Sequence, residues 1–274
     1  MRTIDGMKTI TKIATQKRAG RYSIELDNQF AFGVAESVLI KYGLAKGRTL
    51  DEDLITQIKY DDAIAKALTI ALNYLGHALR TTKQIKQKMR DKAVDEDIQA
   101  QVIAQLTQLG YVDDQNYANH YVATKKLITP KGPHVIRLAL QQAGVAENMI
   151  EQALATYTFD EQCRIATKIA EKLAQGYQRE STRLRQQKMV QGLVNKGFSF
   201  ETAQLVVDSM NIDNNAEDEQ NNAKRQAEKL WHRYRHDESQ QRFYKVKRQL
   251  YAKGFTSELI DAALLSLEQD RKST

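Results

Sequence analysis

The sequence predicts a mainly α-helical fold: an elongated, curved array of tandem three-helix repeats behind a small β-rich N-terminal module. Three observations carry this expectation. One helix-ending stretch is written four times; only two of the 274 residues are proline; and short alternating segments rich in β-branched and aromatic residues are confined to residues 8–35.

The recurring stretch reads Met89-Arg-Asp-Lys-Ala93-Val94, Leu140-Gln-Gln-Ala-Gly144-Val145, Leu193-Val-Asn-Lys-Gly197-Phe198 and Leu250-Tyr-Ala-Lys-Gly254-Phe255. Glycine suits the left-handed residue just past a helix, and the apolar residue after it can fold back onto the one four positions before it. Asp95, Ser199 or Thr256 then stands where the next helix needs a cap, with Ala146 the exception. Val145 with Ile150 and Phe255 with Ile260 fit an apolar staple; Val94 with Gln99 does not. Successive corners, at Ala93, Gly144, Gly197 and Gly254, are separated by about 50 residues, the range of a multi-helix repeat.

Along the chain, Thr9–Thr15, Tyr22–Leu26 and Phe30–Val34 read as three antiparallel strands, with turns at Arg18–Arg21 and Asp27–Asn28. Helices over 35–42 and 50–60, joined through Gly43 and Gly47, complete a module over 1–61. Helical spacing then predicts a first repeat over 62–110 (62–79, 82–92, 96–109) and a second over 111–157 (113–127, 133–143, 147–156). Pro133 suits a first helical position. A third repeat occupies 158–212 (160–176, 181–195, 200–210) and a fourth 213–270 (216–236, 239–252, 257–268), with Asp213-Asn214-Asn215 as linker.

A hydrophobic fraction of 42% with 27% charged residues suits a folded, soluble chain. The single cysteine, Cys163, excludes intramolecular disulfides and cysteine-built zinc sites. Residues 1–12 lack a signal-peptide pattern. The most apolar run, Ala67–Leu79, contains Asn73 and His77. It falls short of the roughly 20 residues of a membrane span, so a cytoplasmic protein is expected. A net charge of +7 and a pI near 9.2 point to a polyanionic partner.

The join of the first two repeats reads Leu109-Gly-Tyr-Val-Asp-Asp114-Gln-Asn-Tyr117-Ala118-Asn-His-Tyr121, preceded by Arg80-Thr-Thr82-Lys-Gln-Ile85 and followed by Lys131-Gly132 and Leu140–Val145. This string resembles the RecX family, bacterial regulators of the RecA recombinase. The likeness is strongest over about 65–155, and the N-terminal strands look like the extension of RecX proteins from Gram-positive bacteria. Thr82 and Gln84 stand where the family commonly has serine and glutamate, and Ala93 where it has glycine. Ala93 left-handed would cost on the order of 1 kcal/mol, which suggests that the first corner closes differently. The family is usually described with three repeats; four are counted here.

Asp113 and Asp114 read as helix-opening caps rather than catalytic carboxylates, and Tyr117, Ala118 and Tyr121 as core. His232 and His236 have zincin spacing, but Arg233 stands where that motif needs glutamate. With no Gly-rich phosphate loop and no Ser/His/Asp grouping, no enzyme activity, metal or cofactor is expected.

The functional signal is basic. The first repeat offers Arg80, Lys83, Lys86, Lys88 and Arg90; the second Lys125, Lys126, Lys131 and Arg137. The third offers Arg179, Arg183, Arg185 and Lys188, of which Arg185 and Lys188 form the better outward pair. In the fourth, Phe243, Val246 and Leu250 make the apolar side of the middle helix, leaving Arg242, Lys245 and Arg248 outward. Arg225, Lys229 and Arg233 step by four along the helix before it. Stacked repeats would join these residues into one stripe. The resemblance implies a monomer that lies in the groove of the RecA–DNA filament and modulates, chiefly inhibits, its growth, ATP hydrolysis and strand exchange; weak binding of single-stranded DNA and no membrane partner are expected. A helix-turn-helix-like transcription regulator and a helical protein-binding scaffold are the rival readings.

Overall fold

A computed structural model describes residues 7–210, 212 and 216–272, the last five by backbone alone. The described residues form two compact lobes, one from residues up to Ala118 with Gln141–Met149, the other from Asn119–Leu140 with the residues from Ile150 onward. Asp213-Asn214-Asn215, the expected linker, lies outside the described residues.

In the first lobe β1 (Lys8–Thr15), β2 (Arg21–Leu26) and β3 (Gln29–Ala35) form the expected antiparallel meander. Asp27 and Asn28 turn the β2–β3 hairpin with φ of 50° and 66°. Left-handed backbone at both turn residues is what a two-residue type I′ hairpin requires. Ile10, Ile24, Leu26, Phe32 and Val34 point into one core with Leu44, Ile55 and Ile58. A short α1 (Glu36–Lys41) follows, then β4 (Thr49–Leu50), which pairs with β1 and makes the order β3-β2-β1-β4. This fourth strand is not expected from the sequence, because two residues are too few for alternation to register.

A second correction concerns Asp61 and Asp62. The expected break there is absent, and α2 runs unbroken over Glu52–Leu75, through the 61/62 boundary placed between module and first repeat. These acids do not start a helix because tertiary partners satisfy them. Asp62, 2% exposed, accepts from the Arg21 guanidinium at 2.6 and 3.2 Å, from the Ala35 amide at 2.8 Å and from Lys66 at 2.8 Å. Burial pushes the Asp61 carboxyl upward, but bonds from Lys41 and from the Tyr42 hydroxyl outweigh it and hold the group below its usual range.

From α2 onward three sets of three helices pack together: α2 with α3 (Thr82–Arg90) and α4 (Glu96–Gln108); α8 (Phe159–Gly176), α9 (Thr182–Asn195) and α10 (Phe200–Ser209); α11 (Ala216–Arg233), α12 (Ser239–Ala252) and α13 (Ser257–Lys272); in sequence the expected second repeat supplies α5 (Asp114–Leu127), α6 (Pro133–Ala143) and α7 (Glu147–Ala155). Each middle helix ends in a left-handed corner, with φ of 55° at Ala93, 85° at Gly144, 94° at Gly197 and 83° at Gly254. The first corner therefore closes like the others, contrary to expectation: the Val94 amide bonds the Met89 carbonyl as Phe198 bonds Leu193 and Phe255 bonds Leu250. Where no apolar staple fits, the Gln99 amide group donates instead to the Val94 carbonyl at 2.7 Å.

The corners have a second role, as sockets. The start of each of three middle helices docks on the corner of the following repeat, always at the carbonyl just before the glycine. Thr81 donates its hydroxyl to Ala143 O at 2.6 Å, Gly132 its amide to Lys196 O at 2.8 Å, and Ser181 its hydroxyl to Lys253 O. The first helix of the following repeat adds a carboxylate to the docked end: Asp114 accepts from Thr82 N at 2.8 Å, and Glu219 from Thr182 N at 3.1 Å. At the middle joint that position is Pro133, which has no N–H to satisfy. Asp113 caps its own helix, as expected, while Asp114 caps the helix of the preceding repeat.

Ala93 belongs to the one corner with no repeat before it to dock there, and it is exposed. Glycine there would shed the left-handed strain and return part of the gain as unfolded-chain entropy. Ala93→Gly is expected to stabilise the first lobe by about 0.5–1 kcal/mol, a few degrees in Tm. An unchanged or lowered Tm would contradict this account of the corner.

Candidate nucleic-acid interface

The structure divides the basic residues of the sequence into two populations. On α3, Lys83, Lys86 and Arg90 lie on one face and line one cleft with Gln87 and Asp114, whose carboxylate is bonded to Thr82 N. Lys83 spends its amine on the Gln142 carbonyl at 3.1 Å. Half-buried Lys86 and exposed Arg90 form no ion pair among the described residues, and Arg90 reaches the Gln87 side chain at 3.2 Å. Arg80 and Lys88 point elsewhere, onto the Tyr74 ring at 4.3 and 5.6 Å.

In the second repeat Lys126 is taken up by structural contacts. It pairs with Glu161 at 2.5 Å, donates to Thr156 O at 2.9 Å and covers the Tyr157 ring at 5.3 Å. The bond from Lys126 holds the Glu161 carboxyl below its usual range, and burial pushes the Tyr157 hydroxyl upward. Lys125 covers Tyr121 and donates to Thr129, while Lys131 and Arg137 are half-buried. Ala118 is core as expected; Tyr117 and Tyr121 are half-buried.

The outward pairs expected in the last two repeats are corrected in part. Lys188 pairs with Glu180 at 2.5 Å over the Tyr177 ring, and Arg185 on the same helix is half-buried, so neither projects freely. Lys245 pairs with Asp237 at 2.9 Å over Tyr234, and the Arg242 guanidinium bonds the Trp231 carbonyl while lying 4.3 Å from the Trp231 ring. Arg248 is exposed, as are Arg179, Arg183 and the α11 row Arg225, Lys229 and Arg233.

Sequence reasoning missed why these lysines turn inward. Tyr177, Glu180 and Lys188 recur in the next repeat as Tyr234, Asp237 and Lys245, at the same offset that separates Gly197 from Gly254. The triad, an aromatic just past the first helix, an acid, and a lysine on the middle helix, clamps two helices through cation–π and ionic contact. Its signal was in the sequence, but only when the repeats are aligned on Gly197 and Gly254. Among the described residues no cluster of His, Cys, Asp and Glu could hold a metal ion, and no helix is long and apolar enough to cross a membrane.

A tandem array of three-helix repeats, each carrying cations on or beside its middle helix, defines the class: a helical repeat protein. Family models agree along the chain. The regulatory protein RecX N-terminal domain matches residues 8–51, the first RecX three-helix domain 67–106 and the second 113–154. The third matches twice, at 160–207 and 217–264, which accounts for four repeats in place of three. The chain belongs to the RecX family. A regulatory protein RecX of Leuconostoc citreum is 99% identical over 96% of this chain and 99% of its own length; that of Leuconostoc mesenteroides is 60% identical over 96% and 98%. A crystal structure of a regulatory protein RecX, 40% identical, superposes with a TM-score of 0.64 over 73% of this chain and 99% of that one.

Proposed function

We propose that this protein binds the RecA–DNA filament and restrains its growth, ATP hydrolysis and strand exchange, as a cytoplasmic monomer with no chemistry or cofactor of its own. The observation that carries this reading is family membership along nearly the whole chain. The cations that meet no internal acid supply attraction to DNA phosphates or acidic filament surface. They also supply a sequence-independent affinity for single-stranded DNA that falls steeply with salt, where a transcription regulator would prefer one duplex sequence.

The test is ATP hydrolysis by RecA on single-stranded DNA with increasing protein. The parent is expected to depress it. Lys86→Glu with Arg90→Glu reverses a face of α3 whose two cations form no ion pair among the described residues and is expected to raise the concentration needed several-fold. Circular dichroism should hold; Arg90 is exposed and adds little to any loss of Tm, while half-buried Lys86, in the cleft with Asp114, accounts for what loss there is. Arg185 with Lys188 is the poorer pair, because Lys188 holds Glu180. A parent without effect would remove the function; a folded variant of full potency would remove this face from it.

A further inference from the structure

The third repeat carries an open cleft of about 480 Å³ between α9 and α10. Val190 and Val194 form its floor, the Phe200 ring stands at its edge with 61% of the residue exposed, and Arg183 marks one end. Between them lie four glutamines. The Gln186 and Gln187 side chains make no hydrogen bond among the described residues; those of Gln191 and Gln204 use only their amide nitrogens, on Asn195 and Asp208 of their own helices. The equivalent cleft is bridged by side chains in two other repeats, by Gln141 to Glu147 in the second and by Lys247 to Asp261 and Tyr251 with Ser257 in the fourth. No such bridge crosses α9 and α10 among the described residues.

We propose that this cleft takes an unpaired nucleobase of single-stranded nucleic acid. An exposed aromatic face stacks on any base, primary amides donate to and accept from base edges, and a neighbouring arginine meets the adjoining phosphate. The cleft volume falls in the range of small-molecule sites, ample for one base. An apolar side chain of a protein partner would leave the four amides facing carbon; a base satisfies them. The inference rests on the nucleic-acid affinity in the proposed function and gives it a place.

The experiment compares fluorescence anisotropy on oligothymidylate and on an abasic strand of equal length and charge. The parent is expected to prefer the base-bearing strand. Phe200→Ala should lower affinity for it about tenfold, the size of one stacked base, and leave the abasic strand unaffected. Phe200→Tyr should retain the preference. Equal binding of both strands by the parent, a preference that survives Phe200→Ala, or binding of neither strand would overturn the site. The RecA hydrolysis assay stands apart: an effect there without base preference leaves the function and removes the site, and base preference without such an effect does the reverse.

Discussion

Gly197→Val is expected to destabilise the second lobe by on the order of 4 kcal/mol, a large part of the roughly 5–15 kcal/mol of an ordinary domain. Two effects act together. Gly197 has φ of 94°. A β-branched residue held there is strained by about 1–3 kcal/mol. Its Cβ would also stand 2.7 Å from the Val135 amide nitrogen and Cγ2, in a joint so close that a Cβ on the facing Gly132 would overlap the Gly197 carbonyl. Overpacking of that kind typically costs about 1–3 kcal/mol. The bonds from Gly132 and His134 onto Lys196 and Gly197 would be lost with it. Gly110→Val is the control, because Gly110 has φ of 73° and nothing within 4 Å of its would-be Cβ, so it carries strain alone. Urea denaturation and limited proteolysis decide: equal losses for the two variants would mean that Gly197 is an ordinary helix end and not a socket. Gly254, whose nearest neighbours are the Ser181 hydroxyl and the Arg183 stem at 3.1 Å and beyond, should yield a smaller loss on the same substitution.

These sockets show where sequence reasoning reached and where it stopped. The corners were legible because their signal is local: a left-handed residue, an apolar residue after it and a cap beyond all sit in one short stretch. Helix spans followed from periodicity for the same reason. What the corners bind was not legible, since Thr81 and Ala143, or Ser181 and Lys253, are joined across 62 and 72 residues. Asp114 shows the difference within one residue pair. Its neighbour Asp113 does what local rules predict, while Asp114 serves a helix 32 residues earlier.

The basic residues follow the same division. Charge count and placement on middle helices were plain, and they supported a polyanionic partner. Whether a given lysine reaches solvent depends on the aromatic and acid that the fold brings beneath it, as Tyr177 and Glu180 are brought to Lys188. A cation so clamped is covered on one side by a ring and neutralised on another, so its contribution to long-range attraction falls. Arg90, Arg183 and Arg248, all exposed, keep theirs. The repeat thus uses cations both to hold its helices together and to present charge.

The break expected at Asp61 and Asp62 failed for the strongest of these long-range reasons, and Asp62→Ala is expected to have the largest effect in the first lobe. Asp62 joins β2, the end of β3 and the middle of α2 through Arg21, the Ala35 amide and Lys66, with its side chain 3% and that of Arg21 14% exposed. Removing one partner of a buried pair leaves the other charge uncompensated, typically about 3–5 kcal/mol. The Lys66 side chain is 56% exposed. It can return to water and adds little to that loss. The Arg21 side chain, 14% exposed, regains water less readily, and the Ala35 N–H loses its acceptor as well. Thermal unfolding should show the first lobe melting well below the parent, with proteolysis advancing first between the strands and α2. A double-mutant cycle separates this from mere loss of bulk: Arg21→Leu combined with Asp62→Ala should be more stable than Asp62→Ala alone, because no buried charge is then left unpaired. Two outcomes would count against this account: additive losses in that cycle, or an Asp62→Ala variant within about 0.5 kcal/mol of the parent. Either would show that the strands are held to α2 by the Ile10, Ile24, Val34 and Ile58 core and not by this carboxylate.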